Sequence, residues 1–223
     1  MFVKICGITN ELDARIAIEA GADAVGLILA ESPRRVEPET ARRIVASLPE
    51  DALTVAVFRR EDPERVLRAF RAIGAKAVQI HDPSPEALVH LRKRVPFLIE
   101  AVAAGDDLPE RAERTPADLL LVDAAEPGSG RSFDWSLLDP APPGVKVVLA
   151  GGLTPETTWP TRCDGSGPGV WTCPAGWRSN PAARTTGRCG CSWSGPGPPG
   201  RRGWPRNDSG PKLPPGMWEA TSS

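Results

Sequence analysis

The sequence lacks the features that define several classes of protein. No stretch of its 223 residues approaches the ~20 consecutive apolar residues that a membrane-spanning helix needs. The amino terminus, MFVKICGITN, has no basic segment followed by an apolar one, so it does not predict a secretory signal. The formal net charge of -1 gives no excess of positive charge for nucleic acid or an anionic membrane. We therefore expect a cytoplasmic protein with neither nucleic acid nor a membrane as its partner.

The carboxy-terminal part of the chain lacks core-forming residues. After Thr157 there is no Phe and no Ile, and the aliphatic side chains are reduced to Leu213 and Val170, besides a few Ala. Such a segment cannot bury enough apolar surface to offset the entropy of ordering the chain. Its cysteines have neither the paired CxxC spacing of zinc sites nor a His nearby, so they predict no metal site. We therefore divide the chain into residues 1–157 and a tail, residues 158–223, that we expect to be disordered.

Residues 1–157 alternate regularly between two patterns. Short apolar runs rich in β-branched residues alternate with amphipathic segments that open at Asp, Glu, Ser or Asn and often close at Gly. This alternation indicates a parallel sheet covered by helices, and seven strands at this spacing fit a (β/α)8 (TIM) barrel that is incomplete as written. A doubly wound sheet is the alternative, but the first turn, CGITNE, lacks the GxGxxG fingerprint. The strands are FVKIC, DAVGLILA, LTVAVF, KAVQIH, FLIEAVA, LLLVD and VKVVLAGG.

Two candidate catalytic residues end predicted strands, where barrel enzymes carry their chemistry. Cys6 ends the first strand; it is either a small buried residue or, as a thiolate, a general base. Asp123 ends the apolar run LLLV, where an unpaired buried carboxylate would be costly. Function explains Asp123 better than packing does. In a barrel, Cys6 and Asp123 would face each other across the mouth.

Further candidates for substrate binding also follow strands. Gly151 and Gly152 form either a tight turn or a cradle whose backbone N–H groups bind phosphate. Arg34, after the second strand, is either a surface charge or a bidentate ligand for a carboxylate. Gln79 ends the fourth strand, together with His81, whose role is either structural or catalytic.

Taken together, these motifs resemble the phosphoribosylanthranilate isomerase family of tryptophan biosynthesis. The resemblance implies a TIM barrel without metal or organic cofactor, monomeric or homodimeric, that binds a small phosphorylated substrate. It implies Cys6 as general base, Asp123 as general acid, Arg34 at the anthranilate carboxylate, and Gly151 and Gly152 at the phosphate. Asp82 departs from the family, which usually has glycine there, and we expect it to alter the turn rather than the chemistry. The motifs, which follow the family's order from Val3 to Glu156, are KICGIT, GADAVGLI, SPRRV, VAVF, AVQIH, LLLVD, GSGRSFDW and LAGGLTPE.

The implied reaction is an Amadori rearrangement of N-(5-phosphoribosyl)anthranilate to 1-(2-carboxyphenylamino)-1-deoxyribulose 5-phosphate. Two other phosphosugar barrels fit less well. Indole-glycerol-phosphate synthase would require catalytic Lys and Glu at strand ends, and ribulose-phosphate epimerase would require metal-binding His. The non-enzymatic alternative is a catalytically impaired barrel remnant that only binds phosphorylated ligands or partners.

The tail lacks the family's eighth strand and second phosphate loop as it is written. If the reading frame is moved forward by one base from Thr158, codon degeneracy permits a translation that contains VADAVRRV, which has the pattern of a helix. This is followed by GVDVS, which has the pattern of a β-strand. Part of this is forced, since the last base of the Trp171 codon and the first two of the Thr172 codon give Asp. We therefore predict a frameshift near Thr157, in the gene or in its sequencing. Without strand eight, strands one and seven would be exposed edges, and we expect a poorly stable, weakly active or inactive chain.

Overall fold

The structure, a computed structural model, describes residues 2–105, 107–123, 147–150 and 170–173. Strands and helices alternate between Phe2 and Asp123, and two further strands lie in the last two described ranges. The strands are β1 (Phe2–Cys6), β2 (Ala24–Ile28), β3 (Leu53–Arg59), β4 (Ala77–His81), β5 (Leu98–Ala103), β6 (Leu119–Asp123), β7 (Val147–Leu149) and β8 (Val170–Cys173). The helices are α1 (Glu11–Glu19), α2 (Pro38–Ala46), α3 (Pro63–Ile73), α4 (Pro85–Arg92) and α5 (Leu108–Arg114).

Local sequence signals explain where the helices begin. Asn10, Asp62 and Ser84 precede α1, α3 and α4, and each side chain accepts a hydrogen bond from the backbone N–H three residues later. Proline lies in the first turn of α2, α3, α4 and α5, where its missing N–H costs no hydrogen bond. α3 ends at Gly74, whose φ of 71° belongs to the left-handed region that glycine adopts readily. These contacts confirm the predicted helix starts at Asn, Asp and Ser, and α5 is the shortest of the described helices, with seven residues.

The strands form a closed parallel barrel in which each strand pairs with its neighbour in sequence. This arrangement confirms the predicted barrel and excludes the doubly wound sheet. The inner face is mainly apolar, and the helices pack on the outer face. The apolar side chains that cluster in the barrel interior are Ala24, Leu53, Val55, Val57, Ala77, Phe97, Ile99, Ala101, Leu119, Leu121, Val148 and Ala150.

The eighth strand comes from the tail itself. Val170–Cys173 pairs in parallel with β7 on one side and with β1 on the other, with Phe2 opposite Val170 and Ile5 opposite Cys173. The expectation that strands one and seven are exposed edges is therefore wrong. The reason is that ladder hydrogen bonds use backbone groups, which any sequence supplies, and Val, Trp and Thr suit a strand. The rest of the tail lies outside the described residues.

An ion pair on the outer face of the described barrel joins a buried Glu100 to Arg111, whose side chain is 35% exposed. Glu100 lies on β5 between the sheet and α5, and its side chain is 3% exposed. Arg111 of α5 donates a hydrogen bond from Nη2 to Glu100 Oε1 at 2.8 Å. This contact ties α5 to the barrel wall and compensates a charge that would be costly alone. In the part of the chain that the structure describes, no helix is both long and apolar enough to span a bilayer.

Candidate active site

Cys6 lies at the carboxyl end of β1, on the inner face of the barrel. Its side chain is half-buried, carries a free thiol, and packs against the interior cluster. The chain then turns sharply at Gly7, whose φ is 82°. The N–H groups of Gly7 and Ile8 both donate to the Gly26 carbonyl oxygen, at 2.9 and 3.1 Å. This anchored turn fixes the direction of Cys6 at the barrel mouth.

Arg34 comes from the loop after β2 and lies against the turn that follows Cys6. Its Nη1 donates to the backbone carbonyl oxygen of Cys6 at 3.0 Å. A Cβ at Gly7 would lie 2.9 Å from Arg34 Cζ, so glycine is needed there both for the positive φ and for the guanidinium. A guanidinium has five N–H donors, and this contact leaves others for a ligand. Arg35, by contrast, is exposed and pairs with Glu37 at 3.6 Å.

Asp123 is the last residue of β6 and is 8% exposed. Side chains alternate along a strand, so Asp123 shares the inner face with Leu121 and Leu119, two members of the interior cluster. Around the barrel, β7 and β8 separate β6 from β1. Cys6 and Asp123 therefore line the same end of one cavity from two directions, which is the arrangement that a base and an acid on one substrate require.

Gln79 and His81 share the inner face of β4. Gln79 is 2% exposed, and its Nε2 lies 2.8 Å from His81 Nε2. Burial, together with the positive charge of Lys4, lowers the pKa of His81 to about 4. His81 is therefore neutral at neutral pH, and its Nε2 accepts the hydrogen bond from Gln79. Gln79 Oε1 is buried without a hydrogen-bond partner among the described residues, which leaves an acceptor inside the barrel.

Lys4 is a site residue that the sequence analysis did not single out. Its side chain is 1% exposed, inside the barrel and two residues before Cys6. The available signal was a lysine in the middle of the otherwise apolar run FVKIC, at the i−2 position that shares a face with Cys6. Strand alternation alone could have placed it beside the candidate base.

Asp82 occupies the turn after β4 with a positive φ of 48°. Glycine adopts this backbone conformation more readily, and Asp is one of the few other residues that tolerate it. Its carboxylate lies 3.5 Å from Arg59 and 3.2 Å from Arg60, two cations at the outer rim. The departure from glycine thus affects the turn and adds ion pairs at the rim, and the expectation that it leaves the chemistry unchanged stays a prediction.

Gly151, Gly152 and the segment EPGSGRSFDW lie outside the described residues. The strand β7 that leads to the glycine pair is described, and Ala150 donates its N–H to the Val122 carbonyl oxygen at 2.8 Å. Within the described ranges, no group of three or more His, Cys, Asp or Glu side chains could hold a metal ion.

The family model described as N-(5'phosphoribosyl)anthranilate (PRA) isomerase matches residues 3–160. The chain belongs to this family. An N-(5'-phosphoribosyl)anthranilate isomerase of Desulforudis audaxviator is 44% identical over 162 residues, which cover 69% of this chain and 78% of the relative. The relative of the same name from Thermotoga maritima is 41% identical over 160 residues, with 69% and 78% covered. Membership of the family makes the protein an isomerase.

Solved structures of PRA isomerases share the fold. The Thermus thermophilus structure superposes with a TM-score of 0.72 at 36% identity, covering 78% of this chain and 87% of that one. A second structure, in complex with reduced 1-(o-carboxyphenylamino)-1-deoxyribulose 5-phosphate, has a TM-score of 0.70 at 31% identity and covers 85% and 98%. The family match ends at residue 160, close to the composition break at Thr157.

Proposed function

We propose that the protein converts N-(5'-phosphoribosyl)anthranilate to 1-(2-carboxyphenylamino)-1-deoxyribulose 5-phosphate, a step of tryptophan biosynthesis, with Cys6 and Asp123 as the catalytic pair. One observation carries the proposal: in a barrel of the PRA isomerase family, Cys6 and Asp123 end β1 and β6 on the same inner face. The family supports an enzyme over a barrel remnant that only binds phosphorylated ligands. No step of this chemistry needs a metal or an organic cofactor.

In the proposed mechanism, Asp123 acts first. Its carboxylic acid gives a proton to the ribose ring oxygen, the C1–O bond breaks, and the anthranilate nitrogen lone pair forms the C1=N bond of a protonated Schiff base. The Cys6 thiolate then takes the proton from C2, and the C2–H electron pair makes the C1=C2 bond of an enolamine while the C=N electrons return to nitrogen. Proton transfer to C1 and loss of the C2 hydroxyl proton give the ketone. Each positioned proton transfer contributes ~10²–10⁴-fold.

Arg34, Gln79 and the glycine pair are proposed to bind the substrate. Arg34 lies at the turn beside Cys6, so a carboxylate bound by its free N–H groups would bring the anthranilate ring next to the base. Gln79 presents a buried Oε1 to the interior, where it can accept a hydrogen bond from a ribose hydroxyl. Gly151 and Gly152 follow β7, the place where barrels hold phosphate.

The decisive experiment compares Cys6→Ala and Asp123→Asn with the parent chain in a turnover assay. Each variant should lose ~10²–10⁴-fold in kcat, because each removes one proton transfer from the transition state. KM should change much less, since neither side chain is proposed to supply ground-state binding. Near-normal kcat in both variants, with thermal melts like that of the parent, would overturn the assignment.

The tail is proposed to be out of frame from Thr158 onward and to have no functional role apart from the backbone of β8. The end of the family match at residue 160 supports this view. So does the position of the reread β-run GVDVS, which falls on 169–173 and therefore on β8 (Val170–Cys173). Sequencing the DNA across this stretch tests the proposal: a single intact frame that codes the written tail would refute it. If the proposal holds, a restored-frame chain should exceed the written one in turnover and stability.

The oligomeric state and the location of the enzyme are also proposals. We propose a cytoplasmic monomer or homodimer. A structure of the Thermotoga maritima enzyme describes that protein as dimeric, which supports a homodimer by similarity alone. Light scattering of the purified chain at several concentrations would separate the two states, and a larger assembly would contradict both.

A further inference from the structure

Lys4 is a cation buried inside the barrel. Its side chain is 1% exposed, and its Nζ has no hydrogen-bond partner among the described residues. Withdrawing an ammonium from water costs several kcal/mol unless an anion or hydrogen bonds compensate for it. A lysine in this place therefore indicates that an anion forms close to it inside the barrel.

Gly26 shows which group lies beside Lys4. Lys4 and Cys6 are two residues apart on β1 and share its inner face; on β2, Ala24 lies opposite Lys4 and Gly26 lies opposite Cys6. A Cβ at Gly26 would lie 2.8 Å from Cys6 Sγ and 2.9 Å from Lys4 Nζ. The sulfur and the nitrogen are therefore less than about 6 Å apart, the range in which an opposite charge favours the ionised form. Any side chain at position 26 would occupy the space that both groups share.

We propose that Lys4 is a positioning residue whose ammonium stabilises the Cys6 thiolate, and that Gly26 allows the two groups to meet. This inference rests on the proposed function in so far as it makes Cys6 the base. It assigns Lys4 a role in the reaction without contact with the reacting carbon. It also explains why an apolar strand carries a lysine at its centre.

Arg34 and His81 are two other basic groups at this end of the barrel. Arg34 donates to the backbone oxygen of Cys6 rather than to its thiol. His81 is neutral, since its pKa is about 4. Within the described interior and its rim, the charged or titratable side chains besides Cys6 are Lys4, Arg34, Arg59, Arg60, His81, Asp82 and Asp123. Of these, Lys4 is the cation placed next to the sulfur.

Alkylation of Cys6 by iodoacetamide tests the proposal, because the thiolate is the reactive form. Trypsin releases Cys6 from the full chain in the peptide Ile5–Arg15, or in Met1–Arg15 when Lys4→Met removes the first cleavage site. Neither peptide has a second cysteine, so mass spectrometry can follow Cys6 separately from the tail cysteines. The measured quantity is the rate of Cys6 alkylation at pH 7 divided by the rate at pH 10. The accessibility of the thiol affects both rates equally and therefore cancels. In the parent chain this ratio should exceed that of a synthetic Ile5–Arg15 peptide at least about fivefold.

Lys4→Met should lower the rate ratio to that of the peptide. Lys4→Arg should retain most of the parent's excess over the peptide, because it keeps the positive charge. Lys76→Met is the matched control: Lys76 precedes β4 at the opposite end of the barrel and donates to the Ala52 carbonyl oxygen. The alkylation-rate ratio of Lys76→Met should equal that of the parent chain. A parent ratio no higher than the peptide's, or an unchanged ratio in a folded Lys4→Met, would overturn the proposal. The parent comparison needs no variant, so a parent ratio no higher than the peptide's overturns the proposal even if Lys4→Met fails to fold.

Turnover measurements separate this inference from the proposed function. If both are right, kcat of Lys4→Met falls at least about fivefold at pH 7 and recovers as the pH rises, while KM changes little. If Cys6→Ala remains fully active, the proposed function of Cys6 is wrong, but the alkylation ratio still tests the contact with Lys4. An altered ratio with kcat unchanged at all pH values would confirm the contact and reject its part in catalysis.

Discussion

The two faces of the barrel wall treat buried charge differently. On the outer face, Glu100 is 3% exposed and is met by Arg111 at 2.8 Å. On the inner face, Lys4 is 1% exposed and has no hydrogen-bond partner among the described residues. A buried charge that is paired holds elements together, whereas one that lacks a fixed partner is costly and is retained for what it does. On the outer face the paired charge ties α5 to the barrel wall, whereas the buried Lys4 is explained by the role that we propose for it beside Cys6.

The largest effect is expected when the ion pair between Glu100 and Arg111 is broken. Arg111→Met leaves the Glu100 carboxylate buried without its partner and should lower the free energy of unfolding by about 3–5 kcal/mol. Urea denaturation followed by circular dichroism measures it. Arg114→Met is the control, because Arg114 pairs with Glu110 at 2.7 Å on the exposed side of α5 and should matter little. Equal effects of the two variants would contradict a structural role for the buried pair.

The second prediction concerns the pH dependence that the interior imposes. The unfolded chain protonates His81 near its ordinary pKa of 6.5, but the folded chain does so only near 4, so between these values the unfolded state binds more protons. Stability should therefore fall as the pH drops through this window, by up to about 3 kcal/mol from His81 alone. His81→Gln should flatten the dependence in urea titrations at pH 4.5 and 7. His90→Gln, which alters the other histidine, should keep it.

The third prediction separates binding from chemistry at the mouth. Arg34→Met removes the proposed carboxylate ligand and should raise KM roughly 10–100-fold, since a hydrogen bond to a charged group contributes about 1.5–3 kcal/mol. The fall in kcat should be smaller than in Cys6→Ala. Arg35→Met is the matched control on the exposed neighbour and should leave both constants unchanged. A variant that loses kcat with an unaltered KM would place Arg34 in the chemistry instead.

The smallest expected effect concerns the rim. Asp82→Gly relieves a left-handed backbone but loses exposed ion pairs to Arg59 and Arg60, so its stability should stay within about 1 kcal/mol of the parent. Asp82→Ala loses the same pairs and keeps a Cβ at positive φ, so it should be the less stable of the two by thermal melting. Turnover should be unchanged in both. A large loss of kcat in Asp82→Gly would extend the chemically active region to this turn.

Much of the fold could be read from local patterns. Helix starts at Asn10, Asp62 and Ser84 follow from side chains that reach their own backbone, and the apolar runs follow from strands buried on both faces. Cys6 and Asp123 stand out as candidates because strand ends meet at one edge of a parallel barrel, and their catalytic roles stay predictions. Strand β8 could not be predicted from the sequence, because its pairing with β7 and β1 uses backbone groups, and these leave no trace in the composition.

The sequence by itself determined the order of strands and helices, the family, and which residues stand at strand ends, because these depend on spacing along the chain. The tertiary structure alone decided which side chains meet. It brought Arg34 to the carbonyl of Cys6, Arg111 to Glu100, and Gly26 of β2 beneath the space that Lys4 and Cys6 share. The physical reason is that these contacts join different strands, loops and helices, and their geometry exists only once the barrel has closed.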